Sequence, residues 1–167
     1  MSIFPTKILL ATDGSEEATL AAEIAADLAN RTDSELHIVH ARSPTTPHRP
    51  GYYVGPGMTV GAAEKERKHL DREAQRLLDA QVEQVRAASG SPAHTHLRTG
   101  KIDRENVAAA EELGAGLIVI GSRGRGRMRR ALMGSVSDSV VRHAHCPVLV
   151  VRKDEQAEEE PAEVGLV

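Results

Sequence analysis

In GLIVIGSRGRGRMRRALMGS, Gly116 to Ser135, a run apolar on both faces breaks into a loop of glycines and arginines and then opens a segment with helical spacing. A run without polar alternation suits a central parallel strand. The following SVSDSVVRHAH carries Val136, Val140 and Ala144 at fourfold spacing, so the stretch predicts strand, loop and helix. Gly121, Gly124 and Gly134 are separated by two and then nine residues, with Ser135 directly after the last. Glycine lets backbone amides approach an anion closely, and a helix start adds unpaired N–H groups and the positive end of its dipole. The loop is therefore a candidate phosphate cradle. Ser135, at the expected cap position, and Ser137, one turn in, are candidate hydroxyl donors, and the arginines would add charge-assisted hydrogen bonds. The blander alternative is a surface loop of turn formers whose arginines point into water while Ser135 merely caps a helix. Three glycines at this spacing before a helix start favour the phosphate. No Gly-Lys-Ser/Thr follows, which excludes a Walker-type loop, and a position after the fourth strand excludes the dinucleotide fingerprint.

Working outward, the chain alternates strand and helix. KILLA (Lys7 to Ala11) predicts the first strand, and TDGS a turn and cap before a helix whose Ala18, Ala21, Ala22, Ala25 and Leu28 share one face. ELHIVHA (Glu35 to Ala41) predicts the second strand, and the proline- and glycine-rich Ser43 to Gly57 an irregular loop. From Thr59 to Ser89 a polar helix presents Leu70, Ala74, Leu77, Leu78 and Val85 as one stripe. AHTHLRT (Ala93 to Thr99) predicts a less buried third strand, DRENVAAAEELGA a helix stopping at Gly114, and CPVLVVR (Cys146 to Arg152) the last strand. Five strands and four helices in this order predict a parallel sheet covered by helices on both faces. Such sheets bind ligands beyond the carboxyl ends of the strands, where the connections diverge. Asp13 leaves the first strand at that edge. It is either a cap for the following helix or an acceptor for a ribose hydroxyl or an adenine amino group, and one oxygen cannot do both.

Composition narrows the classes. The 167 residues form one domain with a tail, and a unit of this size buries roughly 68–70% of its unfolded surface. No apolar run approaches the ~20 residues that span a bilayer, and the start lacks the pattern of a secretory signal, so the expected compartment is the cytoplasm and no membrane partner is expected. A single cysteine, Cys146, excludes an internal disulfide framework. The net charge of −3 hides two opposite fields, a basic stretch at 123 to 130 and an acidic end, KDEQAEEEPAEVGLV. Residues 1–152 are read as the domain and 153–167 as an acidic, disordered tail. Phe4, Tyr52 and Tyr53 are the only aromatics, which removes the stacking platforms of single-stranded nucleic acid modules.

ILLATDGSEEA, ELHIVHA, GAGLIVIGSRGRG and LMGSVSDSVVRHAHCPVLVVR, in this order over residues 5 to 152, resemble the universal stress protein family in its ATP-binding branch. The glycine spacing matches that family's nucleotide motif. The resemblance implies an α/β fold of Rossmann-like type, a three-layer sandwich like the adenine nucleotide alpha hydrolases, with a five-stranded parallel sheet ordered 3-2-1-4-5. It implies ATP binding with little or no turnover, Mg2+ arriving with the nucleotide, and a homodimer formed through the last strand. Matched position by position, it places Asp13 at the base or ribose and Val39 at adenine through its backbone. Gly121, Arg123 and Gly124 fall at ribose and phosphates, and Gly134, Ser135, Val136 and Ser137 at the phosphate pocket. Two features depart from the family's pattern. Ala11 stands where a proline is frequent, and Arg125, Arg127, Arg129 and Arg130 exceed what the motif needs.

The expected function is a dimeric, ATP-binding stress-response regulator or nucleotide sensor, not an enzyme, since no base or nucleophile stands over the loop. The rivals are a nucleotide-free partner-binding protein of the same fold, a cyclic AMP binder, an ATP hydrolase or nucleotidyl transferase, and a polyanion site on the arginines. His94, His96, His143, His145 and Cys146 invite a metal reading, but residues two apart on a helix do not face each other, and no metal site is expected. Tyr52 and Tyr53 could close over a ligand, and the acidic tail could compete with phosphate for the arginines.

Overall fold

The computed structural model describes residues 2–44, 60–89, 93–124 and 133–153. The elements run β1 (Lys7–Ala11), α1 (Glu16–Thr32), β2 (Glu35–Arg42), α2 (Val60–Ser89), β3 (Ala93–Thr99), α3 (Ile102–Leu113), β4 (Leu117–Gly121), α4 (Ser135–His143) and β5 (Val148–Val151). The strands form one parallel sheet in the order β3-β2-β1-β4-β5, as the sequence leads one to expect. The extra arginines at 125, 127, 129 and 130, the tyrosines at 52 and 53 and the tail from 154 lie outside the described residues.

The two faces of the sheet follow from strand alternation. Ile8 and Leu10 of β1, Leu36 and Ile38 of β2 and Val119 of β4 point to one side, where they meet the alanines of α1 and Leu78 and Val85 of α2. Leu9, Ala11, Val39, Ile118 and Ile120 point to the other, against Ala109 and Ala110 of α3 and Val140 of α4. Both faces are thus apolar, which is why the strands read as continuous apolar runs. Helix α1 buries Ala18, Ala21, Ala22, Ala25, Ala26 and Ala29, small side chains that let it lie close on the sheet, with Leu20, Ile24 and Leu28 packed at the margins of the same core.

The ends of the elements have local causes. Ser15 caps α1 by accepting from the Ala18 N–H at 3.2 Å, and Gly114, at φ 64°, closes α3 in the left-handed region that glycine enters without cost. The last strand starts later than the sequence suggests. Pro147 has no N–H to offer, and only its carbonyl pairs, accepting from Ile118 N–H at 3.0 Å before the ladder begins at Val148. Helix α4 likewise stops at His143 rather than running on to His145, since Ala144 turns extended.

The chain winds outward from β1 through β2 to β3, then crosses to the other side of β1 for β4 and β5. The connections leaving β1 and β4 therefore part to opposite faces at neighbouring strands. That is the crevice at which such sheets hold ligands.

Candidate functional site

The β1 and β4 connections meet across the crevice. Asp13 Oδ1 accepts from the Ser15 N–H at 3.0 Å and so shapes the turn, while a Cβ placed on Gly124 would lie 2.5 Å from Asp13 Oδ2. The aspartate's two roles are divided between its two oxygens: one serves the turn and the other faces the glycine loop. Thr12 anchors the same turn, its hydroxyl donating to Gln81 Oε1 of α2 at 2.8 Å and accepting from Gly14 N–H at 3.2 Å.

Gly121 has a different use from the one its motif suggests. A Cβ there would sit 3.1 Å from the carbonyl carbon of Glu17 and 3.2 Å from Ala18 N, so this glycine lets the backbone of α1 rest on the end of β4. Gly134 is the N-cap of α4, a position the sequence suggests for Ser135; its N–H donates to the Ser122 carbonyl at 2.6 Å. The first bond of the helix runs from Asp138 N–H to Gly134 O at 2.9 Å. The amides of Ser135, Val136 and Ser137 precede it, and no side chain caps the helix. Three N–H groups are thus presented at the positive end of α4, beside the glycine loop. Ser137 contributes through its amide only, because its buried hydroxyl donates to Ser122 O at 2.7 Å and lies 3.0 Å from Gly134 O.

Glu17 belongs to this site and is not singled out by the sequence reading. The residue is buried, and its carboxylate accepts from the Ser122 hydroxyl and the Arg123 N–H, each at 2.6 Å, and from Arg123 Nε at 3.2 Å. A usable signal is there in the sequence: Glu17 lies four residues before Ala21 and eight before Ala25, inside the alanine stripe that faces the sheet. A carboxylate in a buried stripe needs partners.

Val39 is fully buried, and its carbonyl accepts the Thr12 N–H at 2.9 Å as part of the sheet. Its main chain thus faces β1, whereas that of Arg42, which accepts from Gly100 N–H, faces β3. Alternation then turns the N–H and C=O of Ala41 toward the β1 side, above Thr12, where β1 has ended. Ala41, like Val39, thus turns its main-chain polar groups toward β1, but at a level where the strand no longer pairs with them.

The histidines divide between opposite edges of the sheet. His145 donates through Nε2 to Ala115 O at 3.1 Å and His143 through Nδ1 to Ser139 O at 2.7 Å, next to β5. His94 and His96 stand on β3, stacked on His37 of β2 with ring centroids 4.9 and 5.3 Å apart. Among the described residues no three His, Cys, Asp or Glu side chains form a set that could hold a metal. Cys146 is half-buried, and burial pushes its thiol up, away from a reactive thiolate.

The histidine stack has a pH consequence. Burial lowers the pKa of His37 and of His96, reinforced at His37 by His96 and His94 and at His96 by His94 and Arg98. Glu35 on β2 opposes the shift at His37, and Glu112 on α3 opposes it at His96. The folded protein therefore takes up these protons less readily than the unfolded chain, whose histidines titrate near about 6.5. Stability is complete above that pH and is lost as pH falls below it. Thermal unfolding followed from pH 7.5 to 5.5 should show a falling Tm, and the fall should shrink in His37→Leu.

The profile of the universal stress protein family matches residues 5–152. A universal stress protein of Methanocaldococcus jannaschii is 34% identical over 147 residues, covering 88% of this chain and 82% of that one. Among solved structures, the universal stress protein UspA from Lactobacillus plantarum superposes with a TM-score of 0.73 at 26% identity, covering 89% of this chain and 99% of that chain. A universal stress protein solved in complex with cAMP shares the fold, with a TM-score of 0.65 at 22% identity over 89% of this chain and 97% of that chain. The β1 turn, the glycine loop and the open end of α4 therefore sit in a frame that runs through known relatives from end to end, and the chain belongs to the universal stress protein family.

Proposed function

We propose that this protein binds an adenine nucleotide, ATP with its Mg2+, in the crevice between the β1 and β4 connections, and acts as a cytoplasmic, dimeric sensor or regulator in the stress response. The observation that carries this reading is the open N-terminus of α4, where the Ser135, Val136 and Ser137 amides stand uncapped behind Gly134. A phosphate group satisfies such donors. Asp13 over Gly124 and the main chain of Ala41 supply the polar groups for ribose and base. The relative solved with cAMP supports an adenine nucleotide as the ligand class. The five arginines of the β4–α4 loop, Arg123 among them, favour the more highly charged triphosphate over a cyclic monophosphate.

Mg2+ would be held by the phosphate oxygens and water rather than by a protein cage, since the described residues form no metal-ligand set. Turnover is not part of the proposal. Glu17 is committed to Ser122 and Arg123 and Asp138 to Arg142 at 2.9 Å, while Asp13 gives Oδ1 to the turn and Oδ2 to the proposed ribose contact, so none of these three is assigned as a general base. A dimer would form at the β5 edge, where Leu149 on the strand and Val141 on α4 are exposed at 37% and 44%. An unprotected edge with apolar neighbours invites a second copy.

Isothermal titration with Mg-ATP, cyclic AMP and GTP, alongside sedimentation of the same sample, tests the reading. Tight binding of ATP with weak binding of GTP by a dimer is expected. Preference for cyclic AMP would keep the site and change its ligand. Absence of binding by all three, in folded and nucleotide-free protein, would move the function to a nucleotide-free partner protein.

A further inference from the structure

Glu17 offers Arg123 a partner that a nucleotide would have to replace. Of the three bonds its carboxylate accepts, those from the Ser122 hydroxyl and the Arg123 N–H hold the start of the loop against α1. The third, from Arg123 Nε at 3.2 Å, holds a long side chain that can move, since that guanidinium side chain keeps 25% of its surface in water while Glu17 keeps 9%. Arg123 also stands at the cradle, for a Cβ on Gly134 would lie 3.5 Å from the Arg123 Cα. The same guanidinium is therefore tethered to a buried carboxylate at a point adjoining the three open amides of α4.

We propose that Glu17 is a positioning residue that sets how much negative charge a ligand needs to recruit Arg123: with no polyphosphate present the guanidinium rests on Glu17, and a polyphosphate draws it away. The inference rests on the nucleotide reading above and adds a discrimination to it. Adenosine, without phosphate, has nothing to offer Arg123 and leaves the Glu17 contact intact. ATP gains the guanidinium but must replace a charge-assisted bond to get it, so its affinity is held below what the amides and the arginine would give together.

The test is a double-mutant cycle between Glu17→Gln and Arg123→Gln, with Mg-ATP and adenosine titrated into all four proteins. Glu17→Gln keeps an oxygen to accept from Ser122 and from the Arg123 N–H, so the loop keeps its shape while the charge that holds the guanidinium is gone. The expected result is ATP affinity raised roughly five- to tenfold, adenosine affinity unchanged within about twofold, and the gain for ATP lost in the Arg123→Gln background. In the unaltered protein the Arg123 Nε–H resonance should shift with ATP and stay in place with adenosine. That measurement needs no substitution, and so covers the case in which a variant does not fold.

Equal changes for ATP and adenosine would make Glu17 a purely structural residue and overturn the inference. A gain that persists without Arg123 would do the same, by tracing it to through-space repulsion between Glu17 and phosphate. Binding of both ligands with equal affinity in all four proteins would leave the nucleotide site standing and remove the tether. Failure of the unaltered protein to bind either ligand would remove both.

Discussion

Gly134→Asp is expected to abolish the response of this protein to nucleotide while leaving its own stability intact or raised. Gly134 sits at φ −73° and ψ 157°, a conformation open to any residue, so nothing in the backbone demands glycine. A Cβ would meet Arg123 Cα at 3.5 Å and Ser137 Oγ at 3.6 Å, ordinary contacts, and Ser122 O at 3.2 Å, a tight one that this carbonyl must relieve by a few tenths of an ångström. Aspartate is moreover a strong N-cap, and its carboxylate would accept from the amides behind it, worth roughly a few tenths of a kcal/mol over a glycine cap. Those amides are the ones proposed for phosphate. The unaltered protein, with ligand at a hundred times its Kd, should gain ~2.7 kcal/mol, a rise in Tm of roughly 5–11 °C for a domain of this size. In Gly134→Asp the rise should vanish although the ligand-free Tm holds or climbs. A lowered ligand-free Tm with the nucleotide response kept would show that phosphate is not held at α4.

The largest loss of stability is expected from Leu10→Ala. Leu10 is fully buried on the central strand, and it faces the alanine stripe of α1. Burying and then deleting a leucine costs about 2–5 kcal/mol, the spread depending on how far the surroundings can close the gap. Here they close poorly. The fully buried α1 residues of its cluster are alanines, whose methyl groups have no rotamers to swing into a void, and the flanking strands are pinned by parallel ladders on both sides. The expected cost is therefore in the upper half of the range, about 4 kcal/mol, or roughly 8–16 °C in Tm. Ile3→Ala, at an exposed position ahead of β1, should stay within about 0.5 kcal/mol. Urea unfolding of the two variants measures both, and a shift in midpoint at constant slope would confirm that the folded core is what changed.

Most of the fold could be read from the chain because its signals are redundant. A doubly apolar run such as Leu117 to Gly121 is incompatible with a half-exposed strand, and the alanine period of α1 fits only a helix lying close on a sheet. The ends of the elements were less legible where two local effects compete, as at Cys146 and Pro147, where apolar character argues for a strand and a missing N–H delays it. The site was legible in its glycines and less so in their duties. Spacing marks Gly121 and Gly124 alike, yet one clears space for a helix backbone and the other for a carboxylate, a difference that depends on what approaches from elsewhere in the chain. The main-chain groups of Ala41, proposed for the base, have no letter in a sequence. Glu17 escaped notice because a helix-start glutamate is ordinary until its neighbours at fourfold spacing are all buried.

The cradle on α4 is made of peptide N–H groups, which neither gain nor lose a proton anywhere in the range where proteins stay folded. Its donor strength is fixed by helix geometry, so acid or alkali cannot tune it from the protein's side. Whatever pH dependence phosphate binding shows there must come from the ligand, whose terminal phosphate gives up its second proton near about pH 6. In the proposed site, acidification would therefore act on phosphate binding through the charge of the ligand, while the His37–His96 stack carries the effect of acid on the fold.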